Sequence, residues 1–150
     1  MNRSLIGKVY PPAEPYQVGR EKVREFATAI GETSPLCHDV AAAQAAGYPD
    51  LVAPPTFAFA LTMGAMNDAM FDPDLGLVYA MAVHGAQHFA YQRAIVAGDE
   101  ITVTCRIADI AVRGSNEVLT TSSELTDSGG QLVATTREVI VTRGTAGGAQ

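Results

Sequence analysis

Thr56-Phe57-Ala58-Phe59-Ala60-Leu61-Thr62-Met63-Gly64-Ala65-Met66-Asn67-Asp68-Ala69-Met70 is the stretch on which the fold turns. It is apolar almost all round and reads as a helix from Thr56 to about Met70. A helix without a polar face must be buried on most of its sides. It makes a poor membrane span, because the longest apolar run, Leu51 to Phe71, is interrupted by Pro54, Pro55, Asn67 and Asp68.

C-terminal to this helix the residue types change. Phe89 to Ile95, Ile101 to Val112, Glu117 to Thr126 and Leu132 to Val141 are rich in Val, Ile and Thr and read as strands. Ile101, Val103, Cys105 and Ile107 alternate, then the phase slips to Ile110 and Val112, which predicts a bulge near Ala108. Gly98-Asp99, Arg113-Gly114-Ser115-Asn116 and Asp127-Ser128-Gly129-Gly130 are turns, the first most simply a hairpin, and such short links predict an antiparallel meander.

On the N-terminal side, Leu5 to Val9 followed by Pro11, Pro12 and Pro15 reads as an edge strand and an extended lead-in. Val23, Phe26, Ala27 and Ile30 fall at helical spacing, and Gly31 stops that amphipathic helix. Glu32 to Asp39 is a polar turn whose Asp39 caps a short Ala-rich helix, Val40 to Ala46. Gly47, Pro49 and Pro54-Pro55 mark a loop. The sum is an α+β fold in which a curved antiparallel sheet wraps one long buried helix. The sheet keeps an open edge, and pairing along it predicts a dimer.

The length of 150 residues fits one domain, read as residues 1–144 with a disordered tail over 145–150. A hydrophobic fraction of 47% and a charged fraction of 17% are ordinary for a globular chain. The net charge of -6 argues against a nucleic-acid partner and against docking on anionic lipid. Met1 to Val9 holds no apolar run long enough for export, so a cytoplasmic protein with Cys37 and Cys105 as unbonded thiols is expected.

Gly31-Glu32-Thr33-Ser34-Pro35-Leu36-Cys37-His38-Asp39 carries the chemistry. It resembles the hydratase signature of the MaoC-like, hotdog-fold enoyl-thioester hydratases, Gly-Asp-x-Asn-Pro-(Leu or Ile)-His with an acidic residue two places later. Ala46-Gly47-Tyr48, Val52-Ala53-Pro54-Pro55-Thr56-Phe57 and His84 to Arg93 running into Ala97-Gly98-Asp99 extend the likeness over most of the chain. The set is most similar to the N-terminal, FAS1-like dehydratase branch, which includes the paired subunits of bacterial (3R)-hydroxyacyl-carrier-protein dehydratases. The resemblance implies a hotdog fold, no cofactor, an acyl thioester of coenzyme A or acyl carrier protein as ligand, and a homodimer or a heterodimer with a catalytic hotdog subunit.

Adding water across a trans-2-enoyl thioester needs a base, an acid and a donor that polarises the carbonyl. The family supplies an Asp, a His and a Gly N–H at the start of the buried helix. Here the Asp position is Glu32, the Asn position Ser34 and the His position Cys37, with His38 displaced by one residue. The helix-start Gly aligns with Pro55, which has no N–H. In an extended loop one step reverses side-chain direction, so His38 need not face the water that Glu32 holds.

Glu32 and His38 are therefore degenerate catalytic candidates. Tyr48, Thr56, Phe57, His84 and Gly85 are substrate-pocket candidates by position. The expected role is a hydratase or dehydratase subunit whose catalytic pair comes from a partner. The rivals are a non-catalytic acyl-binding or assembly protein, which the departures favour, and a hotdog thioesterase, for which the helix offers only Asp68. A metal at His84 and His88 is not expected, since four residues along a strand separate them by about 13 Å. Arg113 and Arg137 are in reach of a phosphate by type, although exposed Arg on a sheet is usually just solvated.

Overall fold

The computed structural model describes residues 1–147. In chain order the elements are β1 (Tyr16–Gln17), α1 (Arg20–Ala29), α2 (Pro35–His38), α3 (Val40–Ala45), α4 (Phe57–Met70), β2 (Ala82–Tyr91), β3 (Glu100–Arg113), β4 (Asn116–Asp127) and β5 (Leu132–Thr142). The five strands form one curled antiparallel sheet in the order β1-β3-β4-β5-β2, with α4 on its concave face. This is the hotdog arrangement.

Alternation builds the long strands. Ile101, Val103, Cys105 and Ile107 of β3 are buried, with exposed Arg106 between them. The register slips between Ile107 and Asp109, which places the bulge at Ala108 as the phase change predicts. The turns at Gly114 (φ 60) and Gly130 (φ 75) use the left-handed conformation that glycine adopts without strain. Asp127 Oδ1 fixes the second by accepting the N–H groups of Gly129 and Gln131.

Several local expectations are corrected. β3, β4 and β5 do form a meander, but β2 pairs with β5 at the far edge rather than with β3. Gly98-Asp99 is therefore a turn but no hairpin between neighbouring strands. The segment before it is hydrogen-bonded elsewhere: Ala53 donates to Ile95 O at 2.9 Å and Ala97 to Leu51 O at 2.8 Å. The outer edge of β3 is taken by the lead-in, where Gly7, Tyr10 and Ala13 donate to Ile107, Cys105 and Val103. Arg3–Leu5 is a short 3-10 turn, so of Leu5 to Val9 only the end meets the sheet edge, through the antiparallel bridge of Val9 with Arg106, and the regular edge strand is Tyr16–Gln17. β2 also begins seven residues earlier than its β-branched content suggested, at Ala82 rather than Phe89.

Helix α4 is buried on one side, not on most sides. Ala58, Thr62, Ala65, Met66 and Ala69 pack inward, while Ala60, Met63, Gly64, Asn67 and Asp68 are exposed and Met63 keeps 40% of its surface. The reason is geometric: a single sheet covers a single face. At the start of α4, Phe57 is 1% exposed and meets the Phe26 ring of α1 edge-on, centroids 5.3 Å apart. Beyond its end, Lys8, Tyr10 and the Asp74 N–H converge on Asp72 and hold its carboxyl down at about 2. Cys37 and Cys105 are both buried free thiols. No helix among the described residues is long and apolar enough to cross a membrane. Ala146 donates to Ser115 O at 3.0 Å, while Gly148 to Gln150, the end of the expected tail, lie outside the described residues.

A second bulge interrupts β2 between His84 and Ala86. A Cβ at Gly85 would stand 3.1 Å from Val141 Cγ2 and 3.3 Å from the Val139 carbonyl oxygen. The side chain can give way, but the carbonyl is held in the sheet. Gly85→Ala should lower stability by about 1–3 kcal/mol in a urea titration. An unchanged midpoint would mean that β2 and β5 do not approach so closely there.

Candidate active site

The loop that carries the hydratase-like motif is set by its caps. Gly31 leaves α1 in the left-handed conformation (φ 72), and Glu32 N–H donates back to Ala27 O at 2.8 Å. Ser34 caps α2 by accepting the Leu36 N–H, Pro35 occupies the first turn, and Asp39 accepts the Ala41 N–H to start α3. Arg24 of α1 reaches over and donates to the His38 carbonyl at 3.1 Å.

The expected extended loop is thus a helical turn over Pro35–His38, because Ser34 and Pro35 form a helix start. Successive side chains there diverge by about 100° rather than pointing to opposite sides. Cys37 turns inward and is 4% exposed, and burial, then the charge of Glu32, push its thiol up. His38 folds back on the loop, with Nε2 at 2.8 Å from the Glu32 carbonyl oxygen. A carbonyl only accepts, so Nε2 carries the hydrogen and Nδ1 is the free acceptor of the neutral ring. The Glu32 carboxylate is turned to the Ser34 N–H at 2.8 Å. The loop brings Glu32 and His38 together, but each bonds to the loop's own backbone. They do not stand as two free arms around one water.

The start of α4 is occupied as well. Tyr91, the last residue of β2, donates its hydroxyl to Pro55 O, and the Tyr91 hydroxyl oxygen is itself within reach of the Ala58 N–H. Burial pushes this phenol up to about 12. Pro55 has no N–H to offer at this helix start, and its carbonyl is closed by Tyr91. Tyr91 is the residue that the sequence reading missed. Its signal was an aromatic in the inward phase of β2, two residues after Phe89.

The pocket candidates separate into three places. Tyr48 lines a mainly apolar groove of about 300 Å³ with Val52, Pro55, Tyr91 and Ile95. That groove adjoins the motif loop, since Val52 donates to Leu36 O at 2.9 Å. Thr56 is exposed beside it and makes no side-chain cap. Phe57 is corrected from pocket to core, because its side chain points at Phe26. His84 lies on a second groove of about 230 Å³ along the open flank of α4, its ring 5.2 Å from Phe59. Gly85 forms the bulge beside it.

The imidazole assignment is open to direct test. Long-range ¹H–¹⁵N spectra recorded well above the ordinary imidazole range should show His38 protonated at Nε2 and bare at Nδ1. The opposite tautomer would mean that the ring is not tied to the Glu32 carbonyl.

The profile of the FAS1-like, dehydratase domain region family matches residues 4–136. A UPF0336 protein of Saccharopolyspora erythraea is 49% identical over 146 residues, 97% of this chain and 94% of that protein. Among solved structures, a MaoC-like dehydratase superposes with a TM-score of 0.85 at 31% identity, covering 93% of this chain and 42% of that longer one. The HadBC (3R-hydroxyacyl-ACP dehydratase) complex of Mycobacterium tuberculosis matches with a TM-score of 0.82 at 29% identity, over 91% of this chain and 96% of that chain. On its matched sequence and its hotdog fold, this chain belongs to the FAS1-like dehydratase-region family, within the MaoC-like dehydratases.

Proposed function

We propose that this chain is the substrate-binding subunit of an (R)-specific enoyl-thioester hydratase or 3-hydroxyacyl-thioester dehydratase. It works beside a hotdog subunit that supplies the intact Asp and His. The observation that carries this reading is the self-bonded site: Glu32 on Ser34, His38 on the Glu32 carbonyl, Tyr91 on Pro55. Base and acid are tied to the loop's own backbone and Pro55 has no N–H to act as carbonyl donor, while the groove at Tyr48 and Tyr91 is intact and mainly apolar, suited to an acyl or pantetheine chain.

Two features support a partner. The outer edge of β2 has no strand against it among the described residues, and a bare edge invites pairing. Beside it Met63, Phe71, Tyr79, Met81 and Val83 are large apolar side chains left exposed. The HadBC relative is a complex of two different subunits by its own description. A thioesterase reading is weaker, because Asp68 lies in the C-terminal half of α4 while the Tyr48 groove is at its start. An assembly role without chemistry remains the second reading, favoured by the same diverted groups.

Hydration of a short trans-2-enoyl-CoA separates these readings. The chain alone should turn over at least about 10²-fold more slowly than the chain mixed with a hotdog partner bearing Gly-Asp-x-Asn-Pro-x-His. The product of the mixture should be the (R)-3-hydroxyacyl thioester. Fast turnover by the chain alone, abolished by His38→Ala, contradicts the proposal, and free thiol release would point to a thioesterase.

A further inference from the structure

The concave face of the sheet carries a polar patch that the proposed chemistry does not use. Two register rows cross it: Cys105, Ser123, Thr136 and Phe89, and next to it Ile107, Thr121, Glu138 and Gln87. Apolar residues border it above and below, Val103, Leu125 and Ala134 on one side and Leu119 and Ile140 on the other. Glu138 is fully buried. Its two oxygens accept Thr121 Oγ1 at 2.9 Å and Gln87 Nε2 at 3.0 Å. Each carboxylate oxygen keeps a further acceptor site.

Around it, Gln87 Oε1, Ser123 Oγ and Thr136 Oγ1 are buried without a hydrogen-bond partner. Ser123 is 0% and Thr136 1% exposed, so bulk water does not reach them. The Cys105 thiol beside Ser123 is a weak partner, kept neutral by burial that pushes it up to about 11. Buried polar groups left unpaired are a net cost, and native interiors rarely keep several together. The unpaired groups are also complementary. Ser123 and Thr136 each offer an O–H, while Gln87 Oε1 and the free side of Glu138 each offer a lone pair.

We propose that Ser123, Thr136, Gln87 and Glu138 together bind one internal water molecule beneath α4. Water accepts two hydrogen bonds and donates two, which is the set these four groups leave open. The covering face of α4 is short-chained at Ala58, Ala65 and Ala69, and the Thr62 hydroxyl is already engaged on Phe59 O at 2.9 Å. The bound water ties β4 and β5 to the open-edge strand β2 through Gln87. This inference does not depend on the catalytic reading.

The sign of one isosteric substitution decides it. Thr136→Val keeps shape and removes only the hydroxyl. A hydroxyl bonded to bound water stabilises, so the melting temperature of the purified chain should fall by roughly 2–4 °C. An unpartnered hydroxyl destabilises, so a rise in melting temperature overturns the proposal. Water-¹⁷O relaxation dispersion supplies a readout independent of folding. The wild type should show a long-lived internal water whose contribution disappears in Ser123→Ala/Thr136→Val. A contribution that survives in the double variant, or is missing from the wild type, also overturns it.

Discussion

Helix α4 sets the terms for the rest of the molecule, because it is apolar almost all round and one sheet can cover only one side of it. Among its inward residues Ala58, Thr62, Ala65 and Ala69 are small, so the sheet can curl close around that stretch. Its outward side leaves Ala60, Met63 and Gly64 facing solvent in the single chain. The flank carrying the second groove runs directly into β2, whose outer edge is bare among the described residues. Exposed apolar surface and an unpaired strand edge are each unfavourable alone, and a second hotdog subunit removes both at once. The proposed pairing is thus a consequence of how α4 is built, independent of any view on catalysis.

The same helix borders the candidate site. Pro55 before it has no N–H to donate, and the Tyr91 hydroxyl closes over its carbonyl. Across the neighbouring loop, a longer carboxylate at position 32 folds onto the Ser34 N–H, and an imidazole moved by one residue folds onto the Glu32 carbonyl. Each substitution is small. Together they tie one oxygen of Glu32 and Nε2 of His38 to the loop's own backbone.

Much of this was legible before any coordinates. The apolar run of α4, the alternation in β3 and the phase slip at Ala108 predicted the helix, the sheet and the bulge, because periodicity is imposed by which face meets the core. What escaped was non-local. No local signal says that β2 pairs with β5 rather than β3, since that depends on Leu51 and Ala53 claiming the backbone around Ile95 and Ala97. The reading of the motif as a polar turn with extended backbone leaves out that Ser34 and Pro35 form a helix start, which redirects Cys37 and His38. Phe57 sits in a motif but points at Phe26, a contact between distant segments. Tyr91 and Glu138 lay in the inward phase of their strands. A charged residue in that phase marks a buried polar network that strand propensity alone does not reveal.

The central claim is that this subunit binds while its partner reacts. It is tested most directly by removing this chain's own acid–base pair from the assembled enzyme. With the chain bearing Glu32→Gln and His38→Ala and bound to a partner of intact motif, kcat for enoyl-thioester hydration should stay within about twofold of the unsubstituted complex. A loss on the order of 10²-fold, the scale of a general acid or base, with the complex still assembled, would contradict the account and return Glu32 and His38 to the reaction.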